Sequence, residues 1–183
     1  MELREWFEKG LTKEQYLNHM QVNKEGMLTI YEGFSLSEEE KEALQEVKQK
    51  NLHAIVLTED WCGDAMINNP VLLKIAEEIG MEVRFVLRDS NLELMDQYLT
   101  NGTARAIPIF VFIDEAGAEQ AVWGPRAPRL QDYVMERRTS LPAKEDRSFE
   151  QTQKELYKSI GETYQSDPSL WHSVAESIIA KLK

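Results

Sequence analysis

His53-Ala54-Ile55-Val56-Leu57-Thr58-Glu59-Asp60-Trp61-Cys62-Gly63-Asp64-Ala65 is the stretch on which the fold of this chain turns. Its first six residues are a short apolar run, the pattern of a buried β-strand. From Gly63 to Ile79 the apolar spacing becomes helical. The only cysteine therefore stands where a strand ends and a helix starts. Backbone amides are unpaired at a helix start, and the helix dipole adds partial positive charge there. Both favour thiolate over thiol, and cysteines so placed fall from a pKa of about 8.5 to between about 3.5 and 7.5. Thiolate is the form that attacks disulfides. The local pattern thus predicts an activated Cys62.

Outward from this junction, the elements alternate. Met81 to Leu87 reads as a second strand and Leu92 to Leu99 as a helix that Asn91 would cap. Pro108 to Ile113 reads as a third strand. Asp114-Glu115-Ala116-Gly117 reads as a turn, and Glu119 to Trp123 as a fourth strand hairpinned to the third. Leu130, Tyr133 and Val134 mark a further helix face. The order predicts a mixed sheet covered by helices. Upstream, Leu3, Trp6 and Phe7 share a helix face that Gly10 ends. Thr12 to Gln15 and Ser37 to Glu40 are capping boxes, in which side chains satisfy the free amides of a helix start. Tyr16, Leu17 and Met20 lie on one face of the first of these helices. Leu44 and Val47 point inward from the second, whose acidic run reads as a solvated first turn. Downstream, residues 140–148 read as a linker. Phe149, Gln153, Leu156, Tyr157, Ile160 and Tyr164 then have helical spacing. Asp167-Pro168 opens a last helix striped by Leu170, Trp171, Val174, Ile178 and Leu182, a face expected to pack on the domain or in a subunit interface.

Trp61-Cys62-Gly63 resembles the start of the thioredoxin active site, Trp-Cys-Gly-x-Cys. Three landmarks extend the resemblance in the right order and spacing. Pro70 matches the proline that kinks the family's active-site helix. Ile107-Pro108, followed by an apolar strand, looks like the cis-proline that faces the cysteine. Gly124 sits where the family has a glycine beside the peptide groove. The resemblance covers roughly residues 52–138 and implies an α/β, thioredoxin-like fold. Its central mixed sheet would have about four strands, with extra helices at both termini. The expected organisation is a helical extension over 1–50, a core over 51–139, and a linker with C-terminal helices over 140–183. Trp-Cys-Gly-Asp and Trp123-Gly124-Pro125-Arg126 look closest to bacterial thioredoxin-like proteins of uncharacterised role.

The resemblance implies Cys62 as the nucleophile. Trp61, Gly63, Asp64, Ile107, Pro108 and Gly124 would contact the substrate. The partner would be a protein or a low-molecular-weight thiol or disulfide, with no cofactor and no metal. One departure limits this. The family's second cysteine, which releases the enzyme from its mixed disulfide, falls on Ala65. The buried acid and lysine of thioredoxins fall, by spacing, on Val56 and Leu87. Three readings stay open: a monothiol nucleophile resolved by an external thiol, a redox-inactive binding module using the groove beside Pro108, or a chain in which Ala65 replaces a removed cysteine.

Composition bounds the rest. The chain has 183 residues and a formal charge of -11. That surplus disfavours binding to nucleic acid or anionic membranes, which need a cationic surface. One cysteine excludes an intrachain disulfide and a multi-cysteine zinc site. No apolar run nears 18 residues, and the N-terminus lacks the features of a secretory signal, so a cytoplasmic location is expected. His19, His53 and His172 have no ligand spacing and read as structural or surface residues. Glu59, Asp60 and Asp64 bracket Cys62, either tuning its charge or simply solvating a loop.

Overall fold

A computed structural model describes residues 1–183. Helices α1 (Leu3–Lys9), α2 (Lys13–His19), α3 (Lys24–Gly33) and α4 (Glu38–Lys48) precede strand β1 (His53–Thr58). Then follow α5 (Gly63–Ile79), β2 (Glu82–Leu87), α6 (Leu92–Met95), β3 (Ile109–Ile113) and β4 (Glu119–Trp123). Helices α7 (Pro128–Arg138), α8 (Phe149–Ser166) and α9 (Pro168–Leu182) complete the chain.

The four strands form one mixed sheet in the order β2-β1-β3-β4. β1 runs parallel to β2 and antiparallel to β3, and β4 is antiparallel to β3. Between β2 and β3 the only helix is α6, of four residues, so no long crossover helix links them. The chain re-enters the sheet at the end where β2 left it, and Ile109 pairs with Leu57. That one end gathers the exit of β1, the entry of β3 and the exit of β4.

Period-two alternation divides the sheet's side chains between two cores. Ala54, Val56, Phe110 and Phe112 face the larger one, with α3, α4, α5, α7, α8 and α9. Ile55, Leu57, Ile109, Val111 and Ile113 face the smaller one, closed by Trp6 and Phe7 of α1 and by Leu94 and Met95. The free edge of β2 is blunted by Leu11, which exchanges two 2.8 Å backbone hydrogen bonds with Phe85. Such cover removes a template for edge-to-edge pairing.

Several expectations are met by the same local chemistry that motivated them. Thr12 and Ser37 form reciprocal capping boxes with Gln15 and Glu40. Asp167 accepts from the Ser169 amide, and Pro168 opens α9. The α9 stripe is buried against α4, α5, α7, α8 and β4.

Other expectations need correction. α6 ends at Met95, not Leu99, because the chain turns into the Thr100–Ala104 bridge. Asn91 stands at the N-cap position of α6, but its side chain makes no capping bond and its amide donates to the Leu87 carbonyl at 2.8 Å. The Glu38–Glu40 turn is not wholly solvated. Glu40 is only 6% exposed, and His172 Nδ1 lies 2.9 Å from its carboxylate. Tyr157 is not a core residue but stands 44% exposed. Helix α3, which no motif delimited, packs against α5 and α8.

Candidate functional site

The β1–α5 junction is held from below and from both sides. Asp60 accepts the Gln21 and Val22 amides at 2.8 and 3.2 Å, pinning the loop to the α2–α3 turn. Glu59 accepts the Asp89 amide at 2.9 Å. These two acids are structural ties. Beneath the junction, Thr58 receives the Asn69 amide at 3.1 Å, and the Tyr16 hydroxyl lies 3.5 Å away. This cluster is uncharged, and Val56 and Leu87 supply no titratable group where thioredoxins have a buried pair.

Cys62 is the N-cap residue of α5. Its Sγ donates to the Ile107 carbonyl at 3.4 Å. The Ile107–Pro108 bond is cis. Gly124 lies directly against this loop. A Cβ on Gly124 would sit 2.3 Å from the Pro108 carbonyl oxygen, and its φ of +130° disfavours any side chain. Glycine is required there because two backbones meet. The next bond, Gly124–Pro125, is also cis, and Asn68 donates to the Pro125 carbonyl at 2.8 Å. Trp61 is 49% exposed, with the Arg88 guanidinium 4.9 Å from its ring centre.

Asp64 has a different role from its acidic neighbours. Arg126 Nε lies 2.8 Å from its Oδ2, although the N–H is misaligned and Nε makes no proper hydrogen bond. The Tyr164 hydroxyl donates to Oδ1 at 3.0 Å.

The protonation state of Cys62 reverses the local expectation. Burial and the neighbouring Asp64 carboxylate push its thiol up to about 11. The Asp64 and Ala65 amides and Arg126 act in the opposite direction but do not prevail. The hydrogen bond to Ile107 also favours the protonated sulfur, because only S–H can donate. At neutral pH the resting group is a thiol.

A testable consequence follows from that sign. Alkylation tracks the thiolate fraction, so its rate should rise about tenfold per pH unit from neutrality and level off only near pH 11. Asp64→Asn removes a negative charge, frees Arg126 to act on the sulfur, and keeps an oxygen for Tyr164. It should increase alkylation at pH 8 several-fold, about tenfold for each unit by which the thiol is lowered. An unchanged rate in Asp64→Asn would show that Asp64 does not control the sulfur.

Cys62 opens onto a cavity of about 400 Å³ between α5, α7 and α8, with Trp61, Asp64, Arg126, Arg138 and Tyr157 in its lining. Trp61, Gly63 and Asp64 are grouped here with Cys62. Ile107, Pro108 and Gly124 do not line it. Arg126, Arg138, Tyr157 and Tyr164 went unrecognised as site residues. Arg126 closes the Trp123-Gly124-Pro125-Arg126 run, but Tyr164 is a hundred positions from Asp64 and left no local signal.

A family model described as Thioredoxin matches residues 10–165, wider than the stretch the motifs covered and including nearly all of α8. No curated protein matches by sequence. Among solved structures, the chain is similar to a protein of unknown function from Pseudomonas aeruginosa. The two are 17% identical, the match covers 98% of each chain, and the TM-score is 0.67. It is also similar to an HIV epitope-scaffold, 16% identical over 100% of this chain and 98% of that one, with a TM-score of 0.69. At such identities the likeness shows the fold alone.

Proposed function

The chain belongs to the thioredoxin family, and from that premise we propose monothiol thiol–disulfide exchange, with Cys62 as nucleophile and an external thiol as resolver. The observation that carries the reading is the placement of Cys62. Its sulfur sits between the carbonyl preceding Pro108 and an open cavity, within reach of a partner. In the first step Cys62 loses its proton to solvent, and the thiolate attacks one sulfur of a disulfide. The partner's S–S bond breaks, a Cys62–S–S–partner bond forms, and the other half leaves as a thiolate that takes up a proton. A second thiol then attacks the mixed disulfide and returns Cys62 to the reduced state. The external thiol is needed because Cys62 is the only cysteine.

In this reading Trp61, Gly63, Asp64, Ile107, Pro108 and Gly124 frame the partner, which is a protein or a low-molecular-weight disulfide. A reducing bacterial cytoplasm would supply the resolving thiol. A second reading, a redox-inactive binding module using the groove beside Pro108, is favoured by one observation: the thiol is pushed up to about 11.

Adduct mapping separates the two. The purified chain is incubated at pH 9 with oxidised bacterial extract, where about one sulfur in a hundred is ionised. Mass spectrometry should find an adduct on Cys62 that dithiothreitol removes and that the Cys62→Ser chain never forms. A Cys62 that stays unmodified would overturn exchange in favour of the binding module.

A further inference from the structure

We propose, building on the exchange reading above, that the disulfide taken up at Cys62 is a small one bearing carboxylates, seated between α5, α7 and α8 with Arg138 as its anion contact.

Size is the first ground. About 400 Å³ lies within the roughly 300–1,000 Å³ range of small-molecule sites. The α8 wall is part of the fold rather than a loose flap. Tyr164 ties it to Asp64, and Arg137 of α7 donates to Ser159 at 2.8 Å. Leu156 and Ile160 are buried beneath it. On the α8 side a partner meets a cavity of small-molecule size backed by a fixed helix.

Charge is the second ground. The ionisable groups lining the cavity, apart from the sulfur and the tyrosines, are Asp64, Arg126 and Arg138. Asp64 and Arg126 offset each other, which leaves Arg138. Its Nη2 donates to the Tyr157 hydroxyl at 3.3 Å, its guanidinium lies 6.0 Å from that ring centre, and no carboxylate pairs with it. A chain of charge -11 repels anions at long range, and the unpaired guanidinium in the cavity that holds its only cysteine offers them a local contact. Such a fork suits a carboxylate, which it can hold through two parallel hydrogen bonds.

The flanks are the third ground. Trp61 and Tyr157, 49% and 44% exposed, give the cavity aromatic sides that would cover the apolar parts of a small ligand.

The test compares two disulfides of opposite charge, oxidised glutathione and cystamine. The rate of mixed-disulfide formation on Cys62 is followed by mass spectrometry. Arg138→Gln should lower the glutathione-to-cystamine rate ratio about fivefold or more, the scale of one lost charge-assisted contact. Arg138→Lys, which keeps the charge, should restore part of it. A ratio the same in all three chains overturns this proposal while leaving exchange standing. If neither disulfide forms an adduct, exchange itself fails, and the Cys62→Ser chain decides the pocket alone. Quenching of its tryptophan fluorescence by oxidised glutathione, weakened in Cys62→Ser/Arg138→Gln, would support the anion site. No quenching, or quenching indifferent to Arg138, would overturn it.

Discussion

Ala65→Cys is expected to raise dithiothreitol-driven insulin reduction at least about tenfold over the unaltered chain. Position 65 follows Cys62 by three residues at the start of α5 and is 2% exposed, so a thiol there would lie beside the mixed disulfide. An internal nucleophile acts at a high effective concentration. Well-oriented cases reach about 10⁵–10⁸ M, and even a small share of that exceeds millimolar external thiol. Two features limit the gain. The Cys62 thiol is pushed up to about 11, and the neutral Tyr16–Thr58–Asn69 cluster is a poor proton acceptor. The Cys62→Ser/Ala65→Cys chain should show no gain. If the unaltered chain reduces insulin as fast as Ala65→Cys, the inference that it lacks an internal resolver is wrong.

Truncation after Ser166 is expected to cost most of the stability. It removes Leu170, Trp171, Val174, Ile178, Ile179 and Leu182, each at most 5% exposed. Full burial of one such side chain contributes about 1.5–3 kcal/mol, so the gross loss is about 10 kcal/mol or more. Losing the segment also relieves its ordering cost, which offsets part of that sum. It further uncovers apolar faces of α4 and α5 and leaves the Trp123 indole without its Ser177 partner at 2.9 Å. A net loss near 5 kcal/mol would lower Tm by about 10–20 °C for a chain of this size and would approach the whole stability of an ordinary domain. Thermal unfolding by circular dichroism measures this. A truncated chain that melts cooperatively at the original temperature would show that α9 contributes nothing the rest needs.

Legibility varied with the range of the interaction. Caps and strand runs could be read because each depends on residues within one or two turns, whereas Pro70, Pro108 and Gly124 stood out only through the resemblance to thioredoxins. Helix α6 was overextended because Leu92 to Leu99 looks helical alone, while the Thr100–Ala104 bridge that ends it is a packing outcome. Glu40 was misplaced for the same reason. Its acidic run suits a helix start, but its burial comes from His172 on a distant helix.

The sequence by itself determined that a lone sulfur would stand where a buried strand meets a helix, and that Ala65 could not resolve a mixed disulfide. Those facts follow from periodicity and residue identity. Only the tertiary structure decided how the sulfur is charged and what surrounds it. Local amides and the helix start argue for thiolate, yet Asp64 and burial keep the proton on. Arg126 and Tyr164 reach Asp64 from the loop after β4 and from α8, and α8 turns one side of the sulfur into a walled cavity. Desolvation depends on what packs around the sulfur in space, so distant segments, together with the near neighbour Asp64, set the chemistry of Cys62.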